Sequence, residues 1–141
     1  MTNKDKELLL LDLCARLPHG VKVLYDAFIG KFNNILVLHY YNGTDKVQNA
    51  DGWIDFFRTG KQIEIEKFKP FLRSLSSMTD DEKADFRSIG GVISYNPQHD
   101  HYAISAFSPE AYDWLNRNHF DYRNLIKKGL AIEVTEENNP Y

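Results

Sequence analysis

Hydrophobic residues first recur at helical spacing. Between Lys4 and Leu17 they fall at Leu8, Leu11 and Ala15 and at Leu10, Leu13, Cys14 and Leu17, with Leu9 widening the stripe. Thr2 or Asn3 can cap the start of this helix, and Pro18 with Gly20 ends it. An amphipathic helix packed on a sheet is the expectation, with Cys14 as a small buried hydrophobe. The period then changes to two. "GVKVLYD" alternates Val21 and Val23 with Lys22, and "NILVLHYYNGTDK" reads as a strand running into an Asn-Gly turn at 42–43. "GWIDFFRTGKQIEIEKF" offers two further runs around a Thr-Gly turn, with Ile63 and Ile65 opposite Glu64 and Glu66. Residues 20–68 therefore predict about four short strands in a small antiparallel barrel-like sheet of the SH3/Sm type.

The second half changes character again. Thr79 followed by Glu82 is a capping box, with Asp80 and Asp81 in the first turn and Gly90-Gly91 as the stop. "GVISYNPQHDHYAISAF" predicts a β-hairpin around an Asn-Pro turn. Ser108 and Pro109 open another helix. In "NHFDYRNLIKKGLAIEV", Asp121 reads as the N-cap of a last helix, with Leu125 and Ile126 facing the core. Lys127 and Lys128 oppose the C-terminal dipole, Gly129 is the left-handed stop, Leu130 supplies its apolar contact, and "AIEV" extends as a strand. The expected class is α+β, in one compact domain over 1–141. Its order is an N-terminal helix, the barrel-like sheet, a helix, a β-hairpin and two C-terminal helices. Residues 72–78 are a seam between a β-rich first half and an α-rich second half.

Hydrophobic residues make up 43% of the chain and aromatics 13%, enough to fill one core at 141 residues. The net charge of −3 is unevenly spread: residues 1–73 carry 11 Lys/Arg against 9 Asp/Glu, and residues 74–141 carry 6 against 11. An acidic chain lacks the basic face that nonspecific nucleic-acid binding needs, although a local basic groove in the first half remains open. A single cysteine excludes an internal disulfide and any cysteine-based zinc site. The leucine run near the start is only four residues long before Asp12, too short for a signal peptide, and no stretch approaches the about 20 apolar residues of a membrane span. A cytoplasmic protein is expected.

Most candidate chemistry has a structural explanation. Asp80, Asp81, Glu82 and Asp85 sit where carboxylates cap a helix. "DKVQNADG" fails as a calcium loop, because its third position is Val47 and its twelfth is Phe56. His99 and His101 are weak metal candidates that share a face in an extended segment but lack a visible third ligand, so no metal and no cofactor is assigned. There is no nucleophile elbow, P-loop or dinucleotide fingerprint, and catalysis is the less favoured reading. Trp53, Phe56, Phe57, Phe68 and Phe71 are interleaved with Arg58, Lys61, Lys67, Lys69 and Arg73. Stacking on single-stranded nucleic acid would use Trp53, Lys67, Lys69 and Arg73, but Asp55 shares a face with Trp53 and Phe57 and would repel phosphate. Helix grammar leaves His119 and Arg123 unexplained, with Tyr122 as their neighbour, so these three are the candidate binding residues.

Three stretches carry a resemblance: Leu17-Pro18-His19-Gly20-Val21-Lys22-Val23, "KPFLRSLSSMTDDEK" at 69–83 and "WLNRNHFDYRNLIKKGLAIE" at 114–133. Together they resemble a family of short proteins encoded in Bacteroides-type genomes, often among phage and mobile-element genes. The likeness covers most of the chain and is loosest over 24–66. Phe71 stands where that family has Tyr, Ser74 where it has Pro and Asn124 where it has Gly. The resemblance implies a bacterial or phage cytosolic origin and brings no activity, cofactor or catalytic residue. The expected function is a non-enzymatic protein-binding or regulatory module of a phage or mobile element, with an unidentified protein partner. The alternatives are a single-stranded nucleic-acid-binding accessory protein and a small metal-dependent protein using His99 and His101, with His119 as a further candidate.

Overall fold

The computed structural model describes the backbone of residues 1–25, 34–41, 44–49, 52–55 and 68–141, and the side chains of 1–24 and 68–141. Helix α1 spans Asn3–Arg16 and starts with a capping box in which Thr2 and Asp5 satisfy each other's backbone N–H at 3.1 Å. Its buried positions are Leu9, Asp12, Leu13 and Arg16, one face at helical spacing but only half apolar. That face leaves Leu10 and Leu11 more than half exposed. Cys14 is exposed with them, contrary to the buried position expected. The ionic pair Asp12–Arg16, and not the leucine count, sets which way the helix is rotated. A single 3-10 turn, Leu17–His19, follows.

Strands β1 (Lys22–Tyr25), β2 (Asn34–Tyr41), β3 (Thr44–Asn49), β4 (Gly52–Asp55), β5 (Phe68–Leu72) and β8 (Ile132–Glu133) form one sheet in the order β4-β3-β2-β1-β5-β8. All neighbours are antiparallel except β5 and β8. The sheet among the described residues is open, not the closed SH3/Sm-like barrel expected. The physical reason is local: one edge of β5 pairs with β1, and β8 takes the other in parallel, with Val134 N–H donating to Leu72 O at 2.8 Å. No edge of β5 is left for a closing strand. The run around Ile63 and Ile65 lies outside the described residues.

The second half is a layer of helices on a two-stranded sheet. Helix α2 (Asp80–Ser88) has the expected Thr79–Glu82 capping box. Strands β6 (Gly91–Asn96) and β7 (His101–Ala106) pair over six positions, and helix α3 (Pro109–Arg117) starts with Ser108 accepting from Ala111 N. Leu75, Met78, Phe86, Ile93, Ala111, Leu115 and Phe120 form the apolar cluster of this half. A separate cluster joins α1, β1 and β5 to Leu125, Leu130 and Ala131.

The expected second C-terminal helix is absent: residues 121–130 form turns. Asp121 caps as predicted, but its carboxylate takes the N–H groups of Arg123 (3.3 Å), Leu125 (2.9 Å) and Ile126 (2.8 Å). Asn124 is left-handed at φ 61°, which a helix interior does not permit. One helical turn survives and ends as anticipated, at Gly129 (φ 72°) with Leu130 N–H on Leu125 O.

A tight fit joins α2 to the hairpin. A Cβ on Gly91 would stand 2.3 Å from the ring of Phe86, which is fully buried. Gly91→Ala should therefore cost about 1–3 kcal/mol by overpacking. Urea unfolding with an unchanged midpoint would contradict this packing.

Candidate functional site

The three residues singled out by sequence lie on the segment that links α3 to the final strand, and two of them meet α1. Asp12 and Arg16 stand one turn apart on the buried face of α1, both fully buried. Arg16 Nε donates to Asp12 Oδ2 at 2.8 Å, and its Nη2 donates to Asp12 Oδ1 at 3.1 Å and to the carbonyl of Phe120 at 2.7 Å. Arg123 Nη1 reaches the same Asp12 Oδ1 at 2.8 Å. One carboxylate is thus shared by two guanidinium groups from opposite ends of the chain. The Tyr122 ring lies against both cations, 4.5 Å from the Arg123 guanidinium carbon and 5.5 Å from that of Arg16. Its hydroxyl donates to Asn116 Oδ1 at 3.0 Å. The sequence signal for this site was an Asp–Arg pair at i, i+4 inside a leucine stripe. Hydrophobic-spacing rules pass over such a pair because its members are charged.

His119 arrives by a different device. It occupies the left-handed position after α3 (φ 62°), with Phe120 N–H returning to Leu115 O at 3.0 Å in the manner of a glycine stop. The chain then runs beside Arg73, whose N–H donates to His119 O at 2.7 Å while Asp121 N–H donates to Arg73 O at 2.8 Å. The His119 ring stacks on Tyr141, with centroids 3.8 Å apart and planes 12° off parallel. Tyr141 is 42% exposed, but its hydroxyl reaches between two strands: it accepts from Lys22 N at 3.1 Å and donates to Phe71 O at 2.9 Å. Burial pushes the Tyr141 phenol up to about 12. Burial also pulls His119 down to about 4, helped by the charges of Arg16, His19, Arg73 and Lys22.

The other predicted residues are dispersed. Arg73 is engaged, donating to both Glu82 oxygens at 2.8 and 2.7 Å, which holds the Glu82 carboxyl below its usual range. Lys69 is exposed on β5. Trp53 lies on β4, four strand steps from β5, about 19 Å at normal strand spacing. Lys67 is outside the described residues. His99 and His101 are exposed at the hairpin tip, as expected from its turn. His101 and Asp100 line an open cleft of about 270 Å³ that also touches Ser74, Ser76, Asn124 and Lys127. Among the described residues no three His, Cys, Asp or Glu side chains stand together as metal ligands. No helix is long and apolar enough to cross a membrane among the described residues.

The hairpin itself presents an unusual surface. Neither β6 nor β7 contains Lys, Arg, Asp or Glu. The register puts Ile93 beside Ile104 and Tyr95 beside Tyr102 on one face, and Val92 beside Ser105 and Ser94 beside Ala103 on the other. Phe107 continues β7 on that second face, diagonal to Val92, and is 78% exposed. Comparison with protein-family models, with curated proteins and with solved structures finds no match.

Breaking the shared carboxylate should be costly. Asp12→Ala leaves two cations without their common acceptor, one of them fully buried, and should destabilise the fold by about 3–5 kcal/mol in denaturant unfolding. The apolar pair Asp12→Leu with Arg16→Met should recover most of that loss, and no recovery would refute the ion-pair explanation.

The pH dependence has a definite sign. Folded His119 binds its proton only near pH 4, whereas the unfolded ring does so near 6.5. The stability of the native fold is therefore full above about pH 6.5 and falls as pH drops toward 4. The groups around the ring are Arg16, His19, Lys22, Arg73 and Tyr141, none of which offers the imidazolium a counter-charge. His119→Asn, which keeps a residue tolerant of the left-handed backbone, should flatten the melting-temperature curve between pH 6.5 and 4 relative to wild type.

Proposed function

We propose that this protein is a non-enzymatic protein-binding module that engages its partner through the β6–β7 hairpin. The observation that carries the reading is the hairpin's lack of protection. Soluble proteins guard exposed strand edges with charges, prolines or covering elements. Here two strands pair only with each other among the described residues, carry no charged side chain, and expose Val92 and Phe107 on one face. An extended segment can add to such an edge through main-chain hydrogen bonds while alternate side chains rest on the neutral face. The cytoplasm of a bacterium, and a phage or mobile-element origin, belong to this proposal through the family resemblance alone. Support for a protein partner over nucleic acid comes from charge: the half carrying the hairpin has 6 Lys/Arg against 11 Asp/Glu.

Peptide-display selection against the purified chain tests the idea. Selected peptides should bind at least about tenfold more weakly to the Val92→Lys, Phe107→Asp double variant, about 1.4 kcal/mol, while its melting temperature stays near that of wild type. Peptides that bind the variant and wild type equally would exclude the hairpin as the docking surface.

A further inference from the structure

Among the described residues two buried side-chain nitrogens have no hydrogen-bond partner: Nη1 of Arg16, always a donor, and Nδ1 of His119, a donor in its Nδ1–H tautomer. They belong to one region, because Arg16 Nη2 donates to the carbonyl of Phe120, the residue after His119. An unpaired N–H on a fully buried guanidinium is the expensive kind of orphan. The nearby carboxylates are already committed. Asp12 is divided between Arg16 and Arg123, Glu82 holds Arg73, and Asp121 is turned into its own N–H groups. The charges that reach His119 from its surroundings, those of Arg16, His19, Arg73 and Lys22, are all positive.

One wall of this region is removable. Tyr141 lies flat on His119, and Lys22 Nζ stands 5.7 Å from the tyrosine ring centre and donates to Pro140 O. Residues 135–139 leading to it are all exposed. Side chains within the tail hold its turn: Asn138 Oδ1 accepts from Thr135 N, and Asn139 Oδ1 accepts from Tyr141 N. Such a segment opens locally at far lower cost than the core. Opening would break the Tyr141 hydroxyl bonds to Lys22 N and Phe71 O, free Lys22 Nζ and uncover the His119 ring, next to which Arg16 holds the carbonyl of Phe120.

We propose that the region uncovered when Tyr141 lifts off His119 is a binding site for a phosphate-class oxyanion. Arg16 Nη1 and the Nδ1–H of neutral His119 are its buried donors, Lys22 Nζ is its third donor, and the Pro140–Tyr141 tail is its cover. A guanidinium with one free edge next to an N–H donor matches the spaced acceptor oxygens of such an anion. This site is independent of the hairpin and stands or falls separately from it.

The test uses the whole chain in phosphate-free buffer, titrated with inorganic phosphate at ionic strength held constant with chloride. The His119 ring resonances are followed by NMR across pH. Bound phosphate favours the protonated ring, so the His119 midpoint should rise from about 4 by roughly one pH unit for each tenfold preference. Tyr141→Ala, which removes the cover, should bind phosphate more tightly than wild type. His119→Asn should lose the phosphate-dependent rise in melting temperature. A His119 midpoint that stays fixed in both wild type and Tyr141→Ala overturns the proposal, as does a midpoint that moves equally with chloride alone.

Discussion

The Asp12 carboxylate is the joint on which the two halves of this chain meet. Its oxygens receive Arg16 from the same helix and Arg123 from a segment 111 residues away. Apolar packing also crosses between the halves, because the cluster around Leu9, Leu13, Val23 and Leu72 takes in Leu125, Leu130 and Ala131, while a second cluster gathers Phe86, Leu115 and Phe120. Those clusters are non-directional and would tolerate sliding against each other. A bidentate guanidinium on a carboxylate tolerates little, because its donors are fixed in a plane. Burying the charges costs desolvation, and an apolar replacement could match the stability. What the ionic joint adds is a unique angle between α1 and the 116–123 segment, with Phe120 O and the Tyr122 ring as its second and third points of contact.

Fixing that angle has a consequence for the hairpin. Phe120 enters the second cluster beside Leu115 while its carbonyl is held by Arg16, and Ile93, with the half-buried Tyr102, Ile104 and Ala106, packs the inner face of β6–β7 into that cluster. The outer face receives nothing from the first half among the described contacts. Trp114 is sandwiched between Phe86 at 5.3 Å and Phe120 at 5.6 Å, which places these three rings on the inside. Phe107 is left outside because β7 alternates and the helices lie only on the other face.

Local grammar in the sequence read the structure well, and its failures share one cause. The Thr2 cap, the Thr79–Glu82 capping box, the Asn-Pro hairpin, the Ser108 cap and the Gly129 stop are formed by neighbours in sequence. The misreadings of Cys14, the barrel and the last helix all depend on distant partners. Helix α1 is rotated by Arg123 and Phe120, and β5 is denied a closing strand by β8. The 121–130 segment stops short of a helix because Asp121 is itself pinned to Arg73, its N–H on Arg73 O and its carboxylate folded onto the turn. Of the residues in this candidate site, His119, Tyr122 and Arg123 stand out in the sequence because helix rules leave them over. Asp12 and Arg16 were missed because a charged i, i+4 pair is ordinarily a surface feature.

The Tyr141 hydroxyl shows how the tail becomes part of the sheet. In an antiparallel ladder, hydrogen-bonded pairs alternate with non-hydrogen-bonded ones. Pro70 has no N–H and stands opposite Val23, a place that suits the non-hydrogen-bonded kind. The next pair, Lys22 with Phe71, would then exchange the bonds. The paired register of β1 and β5 ends at Val23 and Pro70, and it is the tyrosine hydroxyl that joins Lys22 N to Phe71 O. One phenol therefore completes the ladder with its oxygen while its ring covers His119. Moving the tail exposes a strand end and the imidazole in the same step. The state of the His119 region and the closure of the β1–β5 seam are for that reason coupled through a single side chain.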